Sequence, residues 1–204
     1  FPEITPEKWN ELLSNSITDT PFLRYEYQQT WWEHRGGGEW LRQQAELVLV
    51  TAREDDGKLI GIAPLFISEY EGQSALLLIG SIEISDYLDL IVRMDDHARF
   101  ITGLLDFLAS TLPDNWSSLD WYNLPDSSPT LAALKAESES RGWNYHEEIY
   151  RPTPRIALNG SFEEYLSRVE KKQRHEIRRN PRRPAGRCRN LGRRRMLRPC
   201  PRQL

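Results

Sequence analysis

Apolar positions fall at helical spacing in some stretches of this chain and in short continuous runs in others, and the switches between them mark the elements. Trp9, Leu12 and Leu13 share one face of a 3.6-residue helix that Thr5 caps and Pro6 opens. Thr20 is placed to cap a second helix running to about Arg35, with Phe22, Tyr25, Trp31 and Trp32 on it and Gly36-Gly37-Gly38 ending it. Strand segments then take over, beginning with a continuous apolar run. Leu47–Ala52, Lys58–Ile67 and Ser74–Ile79 read as strands, separated by the turn signals Asp55-Asp56-Gly57 and Glu71-Gly72. Together they predict an antiparallel meander. Pro64 lies inside the second strand and lacks a ladder donor, so a bulge or an edge is expected there.

Tyr87–Val92 predicts a fourth short strand. Asp95 or Asp96 then starts a helix to about Leu112, with Phe100, Ile101, Leu104, Leu105 and Leu108 at core spacing. Ser118–Leu124 is the next strand, and Ser128-Pro129 opens a helix that Gly142 closes. Trp143–Tyr150 and Thr153–Leu158 read as extended segments. Ser161 with Glu164 forms a capping box for a last helix to Arg179, with Phe162, Tyr165, Leu166, Val169 and Ile177 on one face. A meander followed by strand, helix, strand and helix predicts an α+β fold: a mixed, largely antiparallel sheet flanked by helices.

Charge divides the chain more sharply than its total of −3 implies. All 30 acidic residues precede Pro181; residues 1–180 hold 18 Lys and Arg against them, a net −12, and residues 181–204 hold nine Arg and no acid. Cys188 and Cys200 also fall in that last stretch. The preceding 180 residues therefore carry no disulfide framework, which suits a reducing, cytoplasmic setting. No apolar run approaches the roughly 18–20 residues a membrane span requires. The first residue is Phe1 rather than Met, so a processed or incomplete N-terminus is expected, and no basic n-region with an apolar h-region follows it.

Three segments resemble a known family. They are Thr20-Pro21-Phe22 with Trp31-Trp32, then Ile60-Gly61-Ile62-Ala63-Pro64-Leu65 followed by Ser85-Asp86-Tyr87-Leu88-Asp89, and the basic helix from Tyr165-Leu166-Ser167 through Lys171-Lys172-Gln173-Arg174 to Ile177-Arg178-Arg179. In this order, over about residues 5–180, they resemble the FemAB-like, CelD-type acetyltransferases, which carry two GNAT-like domains in tandem. The resemblance implies a GNAT-like fold for residues 1–160, a junction helix over 161–180, and a second domain beyond it. Residues 181–204 depart from that pattern. A basic, disordered tail is expected there, and its Arg, Pro, Gly and Cys content is what a shifted reading frame in a GC-rich gene encodes.

By the same resemblance, the intact enzyme transfers an acyl group from acyl-CoA, such as acetyl-CoA, to an amine or hydroxyl of a cell-envelope or polysaccharide precursor. GNAT acyltransferases hold the pyrophosphate on amides of a glycine-rich loop that opens a helix. The matching stretch, Val92 to Arg99, has no glycine and places Asp95 and Asp96 side by side. Two carboxylates repel a diphosphate, so no acyl-CoA is expected on this chain alone. An inactive N-terminal half is the expectation.

Asp86, Tyr87 and Asp89 are the candidate site residues. Either carboxylate can orient an acceptor, and the phenol can donate a proton. The plain alternative has Asp86 capping a turn and Tyr87 packed in the core. His34, His97, His146 and His175 lack metal spacing, the two cysteines form no CxxC pair, and no G-x-S-x-G elbow occurs. Trp121, Tyr122 and Trp143 form a candidate sugar-binding surface or a core cluster. The basic helix and tail leave a second function open, a non-catalytic module that docks a partner. Nucleic acid is a less favoured partner, because no aromatics interleave the charges. Self-association through an exposed junction is also expected.

Overall fold

The computed structural model describes residues 1, 4–112, 116–149, 152 and 160–179. The chain divides into two compact units, Phe1–Arg151 and Pro152–Leu204.

The first unit is built on a five-stranded sheet: β1 (Glu46–Arg53), β2 (Leu59–Tyr70), β3 (Gln73–Leu78), β4 (Ile91–Val92) and β5 (Ser118–Leu119). β1, β2 and β3 form the antiparallel meander expected, β5 adds to β3 in parallel, and β4 pairs with β2 beyond the end of β3. The fold is therefore α+β with a mostly antiparallel sheet. Its helices are α1 (Pro6–Leu13), α2 (Tyr25–Gly38), α3 (Met94–Thr111) and α4 (Pro129–Arg141).

Opposite faces of β2 show where these helices lie. Phe66 is fully buried and meets Trp31, Trp32 and Trp40 at ring separations of 5.4, 6.0 and 5.1 Å. Gly61, on the other face, lies under Phe100 of α3 so closely that a Cβ there would stand 2.4 Å from the ring. The sheet is thus covered by α2 and Trp40 on one side and α3 on the other. Burial of Ile62, Leu65, Phe66, Leu76, Leu78 and Leu105 between these layers supplies the main driving force for folding.

Several boundaries differ from the sequence reading. Thr20 does not cap α2. A single 3-10 turn, Pro21–Leu23, intervenes, and the Thr20 hydroxyl instead donates to the Tyr87 carbonyl at 3.1 Å. α2 ends as its glycines demand, since Arg35, Gly36 and Gly37 all adopt left-handed φ angles. Pro64 occupies a central strand, neither a bulge nor an edge. Its carbonyl accepts from the Ile79 amide at 2.8 Å, so its missing N–H faces the same side, at the junction between β3 and β4. The bulge lies instead near Arg53, opposite Leu59.

The fourth strand shrinks to Ile91–Val92 and the fifth to Ser118–Leu119, because side chains rather than ladder bonds organise the neighbouring residues. Arg93, with no side-chain cap bond, occupies the N-cap of α3 in place of an aspartate. Ser128 caps α4 and Gly142 closes it in the left-handed conformation, as the sequence requires. Residues 143–149 form no strand. Residues 153–158 and 181–204, with Cys188 and Cys200, lie outside the described residues.

The second unit contains α5 (Phe162–Arg168) and α6 (Lys171–Arg179), where one continuous helix was expected. The Ser161–Glu164 capping box forms in full. Val169, however, is extended at φ −85° and ψ 144°, and it breaks the apolar stripe in two. A β-branched residue tolerates extended backbone well. Arg174 stabilises the break by donating to the Ser167 and Val169 carbonyls.

Candidate functional site

The connection from β3 to β4, residues 79–90, contains all three predicted site residues, and the fold fixes it from several sides. Gly80 at φ +116° leaves the sheet where a Cβ would lie 2.5 Å from Leu88. The Asn123 side-chain amide donates to the carbonyls of Ile82 (2.8 Å) and Ser85 (2.7 Å), and the Asn123 carbonyl accepts from the Leu88 amide. Trp40 Nε1 donates to the Ser81 carbonyl, and Glu39 accepts from the Ile82 amide. Gln28 bridges the Phe22 and Ile79 carbonyls. Tyr27 donates to the Ile84 carbonyl and pairs with the Ser85 hydroxyl, both at 2.9 Å. Sequence reasoning missed these supports. Their only local signal is that they are polar or amphipathic side chains near apolar positions.

Asp89 is fully buried. Its Oδ2 accepts from Thr18 (2.8 Å) and Ser128 (2.6 Å), and its Oδ1 from Thr130 (2.7 Å) and the Leu90 amide (2.8 Å). Four donors occupy both oxygens, which leaves this carboxylate clamping the chain rather than facing a ligand. Thr130 completes a relay by facing His97 Nε2 at 3.2 Å. Because the Thr130 hydrogen points to Asp89, its oxygen accepts from His97, so Nε2 carries a hydrogen. Burial lowers the His97 pKa from its ordinary value, partly opposed by the charge of Asp89.

Asp86 and Tyr87 face outward. Asp86 is exposed and Tyr87 half-buried, with its ring 6.4 Å from Phe22. Phe22 in turn meets Tyr27 edge-on at 5.4 Å. Burial raises the Tyr27 phenol pKa; the Ser85 hydrogen bond works against this and the Asp86 charge adds to it. Sequence and fold together therefore assemble a shelf of one carboxylate and three aromatic rings, with Ile84 exposed at its side. Such a shelf can hold a cation or a sugar face against the rings and orient it with the carboxylate.

The turn from β4 into α3 has a different character. Asp95 and Asp96 occupy the first helical turn, and Arg99 pairs with both Asp96 and Glu54. Negative charge thus fills the end of the helix where backbone amides would otherwise attract an anion. Trp121, Tyr122 and Trp143 are each partly buried and packed against the core. Tyr122 packs edge-on with Tyr70 at 5.8 Å, whereas Trp143 packs against Trp116 at 5.9 Å. Among the described residues, no group of three or more His, Cys, Asp and Glu is placed to hold a metal ion, and no helix is long and apolar enough to cross a membrane.

Comparison of the chain with protein-family models, with curated proteins and with solved structures gives no match.

Proposed function

We propose that this chain is the acceptor-binding part of an N-acyltransferase of the GNAT-like, FemAB/CelD type. The observation that carries the reading is the shelf of Asp86, Tyr87, Tyr27 and Phe22, held by a connection whose backbone is pinned at Ile82, Ile84, Ser85 and Leu88. An acyl acceptor must present its amine or hydroxyl in one orientation, and a fixed carboxylate beside aromatic rings supplies that. The order of meander, strand, helix, strand and helix supports the same reading. With Asp95 and Asp96 at the α3 N-terminus, the acyl-CoA is assigned to another part of the intact enzyme. Acetyl-CoA then supplies the acyl group, and this chain supplies the acceptor.

Amide chemical shifts of the whole chain test the proposal, read during titration with an amino sugar, its hydroxyl analogue and acetyl-CoA. The amino sugar is expected to shift Asp86 and Tyr87, and Asp86→Asn to remove the response. A response to acetyl-CoA at Asp95 and Asp96 would overturn the division of labour.

A second reading, a non-catalytic module docking through its basic helix, draws on α6, where Lys171, Lys172, Arg178 and Arg179 are all exposed. It predicts no amino-sugar response at all.

A further inference from the structure

The two units carry opposite charge. Phe1–Arg151 holds 11 Lys and Arg against 26 Asp and Glu, a net −15. Pro152–Leu204 holds 16 against four, a net +12. In the second unit, α6 shows how that positive charge is arranged.

A helix turns about 100° per residue, so Arg178, Lys171, His175, Arg179 and Lys172 fall in that order within an arc of about 120°. All five are exposed, whereas Arg174 and Ile177, outside the arc, are half-buried. Arg174 is spent on the Ser167 and Val169 carbonyls. The basic residues of α6 thus form a stripe along one side.

Two members of the stripe have carboxylate neighbours. Arg178 meets Glu163, and Arg179 meets Glu176 at 3.3 Å. Every side chain in these pairs is more than half exposed, so each pair is weak and open to exchange with another anion. Lys171, Lys172 and the preceding Arg168 have no ion pair among the described residues. The remaining parts of this unit, residues 153–159 and 180–204, contain no Asp or Glu with which to supply one.

The composition of α6 decides among polyanions. An interfacial membrane helix buries an apolar face, and the only apolar side chain of α6 is Ile177. A single nucleic-acid strand stacks its bases on aromatic rings, and α6 has none. A duplex backbone requires neither; it requires cations that reach phosphates. Lys171 and Arg178 are separated by about 10 Å of helical rise, close to the roughly 12 Å width of the DNA major groove. The two ends of the stripe can therefore reach phosphates on both walls of that groove.

We propose that α6 docks on the phosphate backbone of duplex DNA through Lys171, Lys172, His175, Arg178 and Arg179. The proposal rests on the docking reading of α6 and is independent of the acceptor shelf. Residues 181–204, with nine arginines and no acid, add attraction to the same polyanion.

The test is fluorescence anisotropy of a labelled, mixed-sequence DNA duplex titrated with the full chain over a series of salt concentrations. Binding is expected to weaken steeply as salt rises. Replacing both exposed lysines of the stripe, Lys171→Gln with Lys172→Gln, is expected to lower the slope of log affinity against log salt by about two. Lys8→Gln with Lys58→Gln removes the same charge from exposed positions of the first unit, and is expected to leave the slope unchanged. An equal effect of the two double variants overturns the proposal, as does an unchanged slope in the first. Tighter binding to a single strand, to phosphatidylserine vesicles or to polyglutamate overturns duplex DNA as the partner while leaving the docking reading in place. Failure to bind any of these probes overturns both.

Discussion

The hydroxyl of Thr18 and the carboxylate of Asp89 stand 71 residues apart in the chain and 2.8 Å apart in space. That bond, with those from Ser128 and Thr130, fastens the segment after α1 and the start of α4 to the connection between β3 and β4. Asp89 therefore serves the site indirectly. It holds the base of the loop that presents Asp86 and Tyr87.

Asp89→Ala would leave three hydroxyls and one amide without their acceptor in a fully buried place. Hydroxyls can rotate to other partners, so the loss is smaller than four separate bonds; about 3 kcal/mol is expected. Urea unfolding of the two proteins measures it. An effect below 1 kcal/mol would show that water reaches Asp89.

His97 makes the same cluster sensitive to acid. Its folded pKa lies below the unfolded value of 6.5, so the unfolded chain binds the proton more readily. Its contribution is fully present above pH 6.5 and declines as pH falls below that value. Melting temperature followed downward from pH 7 is expected to drop more steeply for the native chain than for His97→Gln, whose amide can still donate to Thr130.

Tyr27→Phe removes the phenol that donates to Ile84 and meets Ser85. The ring against Phe22 remains, so the packing is retained. About 1 kcal/mol of stability is expected to be lost. The larger effect is expected on the connection itself, read as faster amide exchange at Ser85 and Asp86. Unchanged exchange there would separate Tyr27 from the shelf.

Gly80→Ala combines an unfavourable φ of +116° with a Cβ placed 2.5 Å from Leu88. Strain and overpacking together are expected to cost about 2–4 kcal/mol. Gly72→Ala is the control, because it shares a positive φ of 78° but meets nothing within 4 Å. Thermal unfolding of both variants separates conformational strain from steric conflict, and equal losses would assign the whole effect to φ.

Local chemistry made much of the fold legible. The Asp-Asp-Gly and Glu-Gly turns marked the meander, and the Leu/Phe spacing of residues 100–108 marked α3. Ser128, Gly142 and Ser161 marked helix ends, because caps act within three or four residues. The site was legible only in part. Ser85-Asp86-Tyr87-Leu88-Asp89 stood out, but nothing in that stretch says which carboxylate is buried.

Residues adjacent in sequence can acquire opposite roles when partners arrive from distant segments. Asp89 receives Thr18, Ser128 and Thr130 and becomes part of the framework; Asp86 receives no such donors and remains exposed. Val169 shows the same limit, since helical periodicity continues through it while the backbone does not.

By itself the sequence determined the α+β class, the meander and the caps at Thr5, Ser128 and Ser161, because turn chemistry and periodicity act over a few residues. Tertiary structure decided the placement of Pro64 inside the sheet, the burial of Asp89 and the grouping of Phe22, Tyr27 and Tyr87 around Asp86. Those outcomes depend on which strand or hydroxyl arrives from tens of residues away, and no local pattern encodes that.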